Sequence, residues 1–155
     1  MSIAKELHFD RFLIDLKAQS QQKIFDILAE ETAIFCNAGT QRVRDAFEKR
    51  LGERTFGMGD GLAIFDIKSP VITRPMLVLS RFEQELDFDA LDGKMVDLMV
   101  AVVSPQKDVS AHLQRLAHVS RVLRSADLRA ALRDAHDIDA MRVLFMPTQD
   151  WMIAA

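Results

Sequence analysis

Residues 96–104, VDLMVAVVS, are apolar at almost every position, without the alternation that marks a strand with one wet face. A run apolar on both faces needs cover on both sides, and helices are what usually cover a central strand. Helical patterns occur on either side of it. Over 20–36, Ile24, Ile27, Leu28, Thr32, Ile34 and Phe35 fall at roughly helical spacing, with Ser20 as N-cap and Asn37-Ala38-Gly39 as the stop. Thr40 is read as the cap of a second helix, in which Val43, Phe47 and Leu51 recur every four residues before Gly52. After Pro105, three more helices are read: one capped by Ser110 (Leu113, Leu116, Val119, Leu123), one by Ser125 (Leu128, Leu132), and one starting near Asp137 (Ile138, Met141, Leu144). MLVLSRF at 76–82 reads as a second buried strand. LAIFDI at 62–67 reads as a short strand leaving the glycine-rich GMGDG of 57–61. The expectation is an α/β fold, a mixed β-sheet flanked by helices, over one domain spanning 1–155.

Composition narrows the function classes. A formal net charge of −3, from 20 basic and 23 acidic side chains, gives no electrostatic reason to expect nucleic acid or an anionic membrane as partner. One cysteine, Cys36, cannot form an internal disulfide, and residues 1–16 lack the apolar run of a signal peptide, so the reading is cytoplasmic. Nothing approaches the roughly 20 apolar residues that span a bilayer. The C-terminal Trp151–Ala155 is assigned no role.

No common catalytic pattern occurs. His8, His112, His118 and His136 make no HxH or HExxH pair, so no metal or cofactor is implied. Cys36 sits in an apolar helical pattern and reads as a buried hydrophobe. GMGDG precedes a strand, whereas the dinucleotide fingerprint follows one. Asp87, Asp89 and Asp92 lack the closing Glu of a calcium loop and read as a turn whose carboxylates accept backbone N–H groups.

The ordered combination is more specific than its parts. Arg50, Thr55, Gly57-Met58-Gly59-Asp60-Gly61 and Leu62-Ala63-Ile64 resemble the segment R-E-x-x-x-S-T-G-x-G-x-G-I-A-I-P-H of the IIA components of the bacterial phosphotransferase system, of mannitol, fructose and nitrogen-regulatory type. Leu86–Gly93 followed by Val96-Asp97-Leu98 resembles that family's P-I-x-F-D-A-x-D-x-x-P-V-D-L. His112-Leu113, Leu116 and Leu123 resemble its histidine-bearing helix. The similarity is strongest over 18–145. It implies a mannitol-type IIA three-layer sandwich, with the glycine loop and the Leu62–Asp66 strand on the rim of a shallow site beside the start of the His112 helix.

The departures fall at the site. Read without gaps, the family's Pro-His lands on Phe65-Asp66, so an aspartate stands where the resemblance implies the phosphoryl-accepting histidine. Phe56 stands for Thr, Leu51 for Glu, and Gln114 for the second helix histidine of nitrogen-type members. His112 maps to the histidine that supports the acceptor. Three readings of Asp66 follow: a fixed negative charge resembling the phosphorylated form, a neutral replacement, or an aspartyl phosphate oriented by Lys68 and Thr55 with Asp60 near a metal. His112 has two: a displaced acceptor, or an exposed first-turn residue. Phe65 and Phe56 belong either to an apolar rim or to the core. Among Arg50, Lys68 and Arg74, Lys68 is the expected anion contact.

The resemblance implies protein partners, either a histidine-containing phosphocarrier or a regulated kinase or transporter, and a monomer or weak homodimer. The leading expectation is a regulatory binding module whose phosphate and partner contacts are Arg50, Thr55, Gly57, Gly59, Gly61, Lys68 and Gln114. The rival is a working phosphoryl carrier on His112 or Asp66. A third role is a homodimer supported by Phe-rich patches.

Overall fold

The computed structural model describes residues 7–52 and 57–146. In chain order the elements are β1 (Arg11–Leu16), α1 (Gln21–Cys36), α2 (Thr40–Leu51), β2 (Gly57–Gly59), β3 (Leu62–Ser69), β4 (Met76–Leu86), β5 (Val96–Pro105), α3 (Val109–Val122), α4 (Ala126–Asp134) and α5 (Ile138–Val143). The sheet runs β1-β4-β5-β3-β2. Two neighbouring pairs, β1 with β4 and β3 with β5, are parallel; the other two are antiparallel. None of the described helices is long and apolar enough to cross a membrane.

Side chains alternate across a strand, so β3 and β5 feed two separate cores. Ala63, Phe65, Ile67, Met99, Ala101 and Val103 pack with α1 and α2. Leu62, Ile64, Leu98, Val100 and Val102 pack with residues of α3, α4 and α5. The expected three-layer arrangement is present, and β5 is buried on both faces. Phe65 meets Phe25 at 4.9 Å and Phe47 at 5.1 Å between ring centroids, which makes it core rather than rim.

Several local readings change. The six-residue β1 was absent from the sequence reading; RFLIDL is a short edge strand, and its pairing shifts register between Leu13 and Leu16. Asp15, at φ 55°, sits in that irregularity and accepts from Arg81 at 3.0 Å. Thr40 is the first residue of α2 and Gly39 its N-cap, without a side-chain bond. Ser110 lies inside α3, which starts after Asp108. Ser20, Ser125 and Asp137 do cap, each accepting a backbone N–H three residues on, and Asn37 closes α1 in the left-handed conformation.

GMGDG is a hairpin. β2 pairs with the start of β3, and Asp60 and Gly61 (φ 55° and 80°) make the two-residue turn that matches the sheet's twist. Asp92 holds this turn from the β4–β5 loop by accepting the Asp60 N–H at 2.8 Å. That bond, then the one from the Lys94 N–H, pulls the Asp92 carboxyl below its ordinary range. A Cβ on Gly61 would run into the Arg133 guanidinium and lie 3.1 Å from Asp97 Oδ1.

Gly61→Ala is expected to lower stability by about 2 kcal/mol in urea unfolding, from left-handed strain plus displacement of Arg133. Because the folded pKa of Asp92 is depressed, its contribution is present above the unfolded value of 3.8 and fades as pH falls below it. Asp92→Asn should therefore show a shallower loss of stability with acid than the parent chain below that pH.

Candidate functional site

Arg50 lies in the last turn of α2, Asp66 in the middle of β3, Ser104 near the end of β5 and His112 in the first turn of α3. The parallel register sets Asp66 opposite Val102 and Lys68 opposite Ser104, so Asp66 and Ser104 point to the α3 face. The short connection after β5 then brings His112 over both.

The four side chains form a continuous hydrogen-bonded chain. Arg50 Nε donates to the Asp66 carbonyl at 2.8 Å, and Arg50 Nη2 donates to Asp66 Oδ1 at 3.1 Å. Asp66 Oδ2 lies 3.0 Å from His112 Nε2, and His112 Nδ1 lies 2.7 Å from Ser104 Oγ. Arg115 Nη2 donates to the same Ser104 oxygen at 2.6 Å. One proton placement suits every atom: the Ser104 hydroxyl, already accepting from Arg115, donates to Nδ1, and the Nε2–H donates to Asp66. A serine, a histidine and an aspartate in a row suggest nucleophilic chemistry, but Ser104 has no solvent exposure. It works as a brace for the imidazole.

Burial overturns the reading of His112 as an exposed first-turn residue, since its relative exposure is 1% and that of Asp66 is 8%. What remains open of Asp66 looks into a shallow depression bordered by Lys49, Arg50 and Lys68, with Ile67, Pro70, Leu113 and Leu116 as its apolar part. Lys68 is thus beside Asp66. Arg74 is elsewhere, its guanidinium 3.6 Å from the Phe35 ring centroid and donating to the Phe35 carbonyl. Gln114 is exposed on α3 and is not among the residues lining the depression.

The glycines are a further correction. Gly61 is five residues before Asp66 on an extended strand, about 16 Å away at the usual rise. The hairpin turn therefore borders a different hollow, near Asp97, Arg129 and Arg133, and does not rim the Asp66 depression. Two-residue hairpin chemistry explains the glycines better than close approach to a ligand. Gly57 and Gly59 form β2, and Thr55 and Phe56 lie outside the described residues. Sequence reasoning missed Ser104 and Arg115. Their signals were a lone serine ending an apolar run and an arginine one helical turn after His112.

Residues 7–146 match the family described as phosphoenolpyruvate-dependent sugar phosphotransferase system, EIIA 2. This chain belongs to that IIA family. It is 29% identical over 133 residues to a nitrogen regulatory protein of Bradyrhizobium diazoefficiens, covering 85% of this chain and 87% of that one. The nitrogen regulatory protein IIA-Ntr of Neisseria meningitidis has the same fold, with a TM-score of 0.80 at 18% identity, over 93% of this chain and 94% of that one. Enzyme IIAMTL of Escherichia coli, solved in complex with phosphorylated enzyme IIBMTL, gives a TM-score of 0.72 at 13% identity, over 90% and 96% of the two chains.

In this IIA protein the Asp66 carboxylate joins α2 to α3 through the sheet, and removing it takes one acceptor from Arg50 and one partner from His112. Asp66→Ala is expected to cost about 2–4 kcal/mol in denaturant unfolding. Asp66→Asn, which keeps an acceptor but not the charge, should cost roughly half as much.

Proposed function

We propose that this nitrogen-regulatory-type IIA protein acts as a protein-binding regulator without the usual phosphorelay step, with Asp66 in the position of the family's phosphoryl acceptor. The observation that carries this reading is that His112 is buried with both ring nitrogens bonded, while Asp66 is held between Arg50 and His112. Asp66 Oδ1 faces Arg50 and Oδ2 faces His112, while both ring nitrogens of His112 are bonded, to Asp66 and to Ser104. Phosphoryl transfer needs an accessible lone pair in line with the donor's phosphorus. An imidazole with 1% exposure and two partners offers none without leaving its seat.

A carboxylate between an arginine and a histidine is also a fixed negative charge at the point where the family adds a phosphoryl group. On this reading partners meet one charge state permanently. The surrounding surface suits a protein rather than a small molecule: it is shallow and open, with Leu113 exposed on it. The partner class is the one the family implies, a phosphocarrier or a regulated kinase or transporter. The solved IIAMTL complex shows that a protein of this fold can dock another protein.

The test is intact mass after incubation with phosphoenolpyruvate, enzyme I and a histidine-containing carrier. The parent chain is expected to gain no phosphoryl group, while Asp66→His gains one. A phosphoryl group on the parent chain would make it a carrier on His112 or Asp66 and end the regulator reading.

A further inference from the structure

Charge is distributed unevenly along the sheet. Residues 83–92 carry Glu83, Glu85, Asp87, Asp89 and Asp92 and no basic side chain. They lie at the end where β4 passes to β5, beside the Asp60-Gly61 turn. Leu91 in this segment has a relative exposure of 104%, so its whole side chain is in water. The segment is nevertheless held in shape: Asp87 accepts the Asp89 N–H and Asp92 accepts the N–H groups of Asp60 and Lys94. A preformed loop presenting a leucine loses little freedom on docking.

The opposite end of β3 is its complement. Lys49 and Lys68 border the depression beside Asp66. Its one carboxylate, Asp66, is engaged by Arg50 and His112. Among the described residues neither lysine has a carboxylate partner. Leu113, 57% exposed, and Leu116 supply an apolar seat between them and the strand end. Two lysines around such a seat suit an acidic segment with a protruding leucine.

We propose that the 87–92 loop of a second copy of this chain docks in the depression beside Asp66, so that copies associate head to tail. This rests on the depression being a protein-docking surface, as proposed above, and adds an occupant that would mask it. Loop and depression lie at opposite ends of the sheet. The proposed contact is heterologous, each copy using its loop toward one neighbour and its depression toward another, so growth passes the dimer and ends only where the rotation closes a ring.

Sedimentation velocity and light scattering on the full chain, from micromolar to millimolar, test this. The weight-average mass should rise with concentration past that of a dimer and fall when salt is added. Lys68→Glu and Leu91→Asp should each weaken association by about tenfold or more. Mixed in equal amounts, these two variants should form a dimer and nothing larger, since one keeps its loop and the other its depression. Lys49→Glu, on a different element, should behave like Lys68→Glu. A chain that stays at the mass of one copy throughout, or variants that fail to complement, would overturn the proposal. The phosphoryl-transfer experiment reads a separate property, so it tells failure here from failure of the regulator reading.

Discussion

The parallel pairing of β3 with β5, unbroken from Leu62 opposite Leu98 to Ser69 opposite Pro105, is the constraint on which the other layers depend. Both strands are buried nearly throughout, so each must present one apolar row to α1 and α2 and another to α3, α4 and α5. A slip of one residue would turn every side chain to the wrong face. The same register puts Asp66 and Ser104 on the α3 side, where His112 can reach both. The fold's stability and the geometry of the site are thus set by one ladder.

Asp66 and Ser104 on that ladder are withdrawn from water, and such groups are tolerated only when partnered. The partners come from distant parts of the chain: Arg50 from the end of α2, and His112 and Arg115 from α3. A comparable arrangement holds the far end, where buried Arg81 of β4 donates to the Leu132 and Ala135 carbonyls at the end of α4. Arg133 is fixed on Asp97 and the Asp60 carbonyl. Arginines therefore tie helices to strands at both ends of the sheet. At the Asp66 end they leave a depression beside a buried carboxylate.

Much of the fold was legible because its signals are local. The caps Ser20 and Ser125, the helix start near Asp137 and the left-handed stop at Asn37 need only neighbouring residues. The uninterrupted apolar run of β5 announced a covered strand. β1 was harder to read: Phe12, Leu13 and Ile14 stand in a row without alternation, and an edge strand with a register shift gives a weak pattern. The Asp60-Gly61 turn lies away from Asp66. Its order along the chain, next to the strand that carries Asp66, suggested nearness in space, whereas an extended strand carries its two ends far apart.

The sequence by itself determined the helices and the three central strands, the family resemblance and the presence of an aspartate and a histidine in register with its site motifs. These depend on periodicity, capping and order, which are properties of neighbouring residues. Tertiary structure alone decided that His112 is buried, that both its nitrogens are taken, that Arg50 closes on Asp66, and that the glycine turn serves the opposite end of the molecule. The contacts behind those facts join residues 8 to 73 positions apart, and only the packing of α2, α3 and α4 against the sheet brings such residues together.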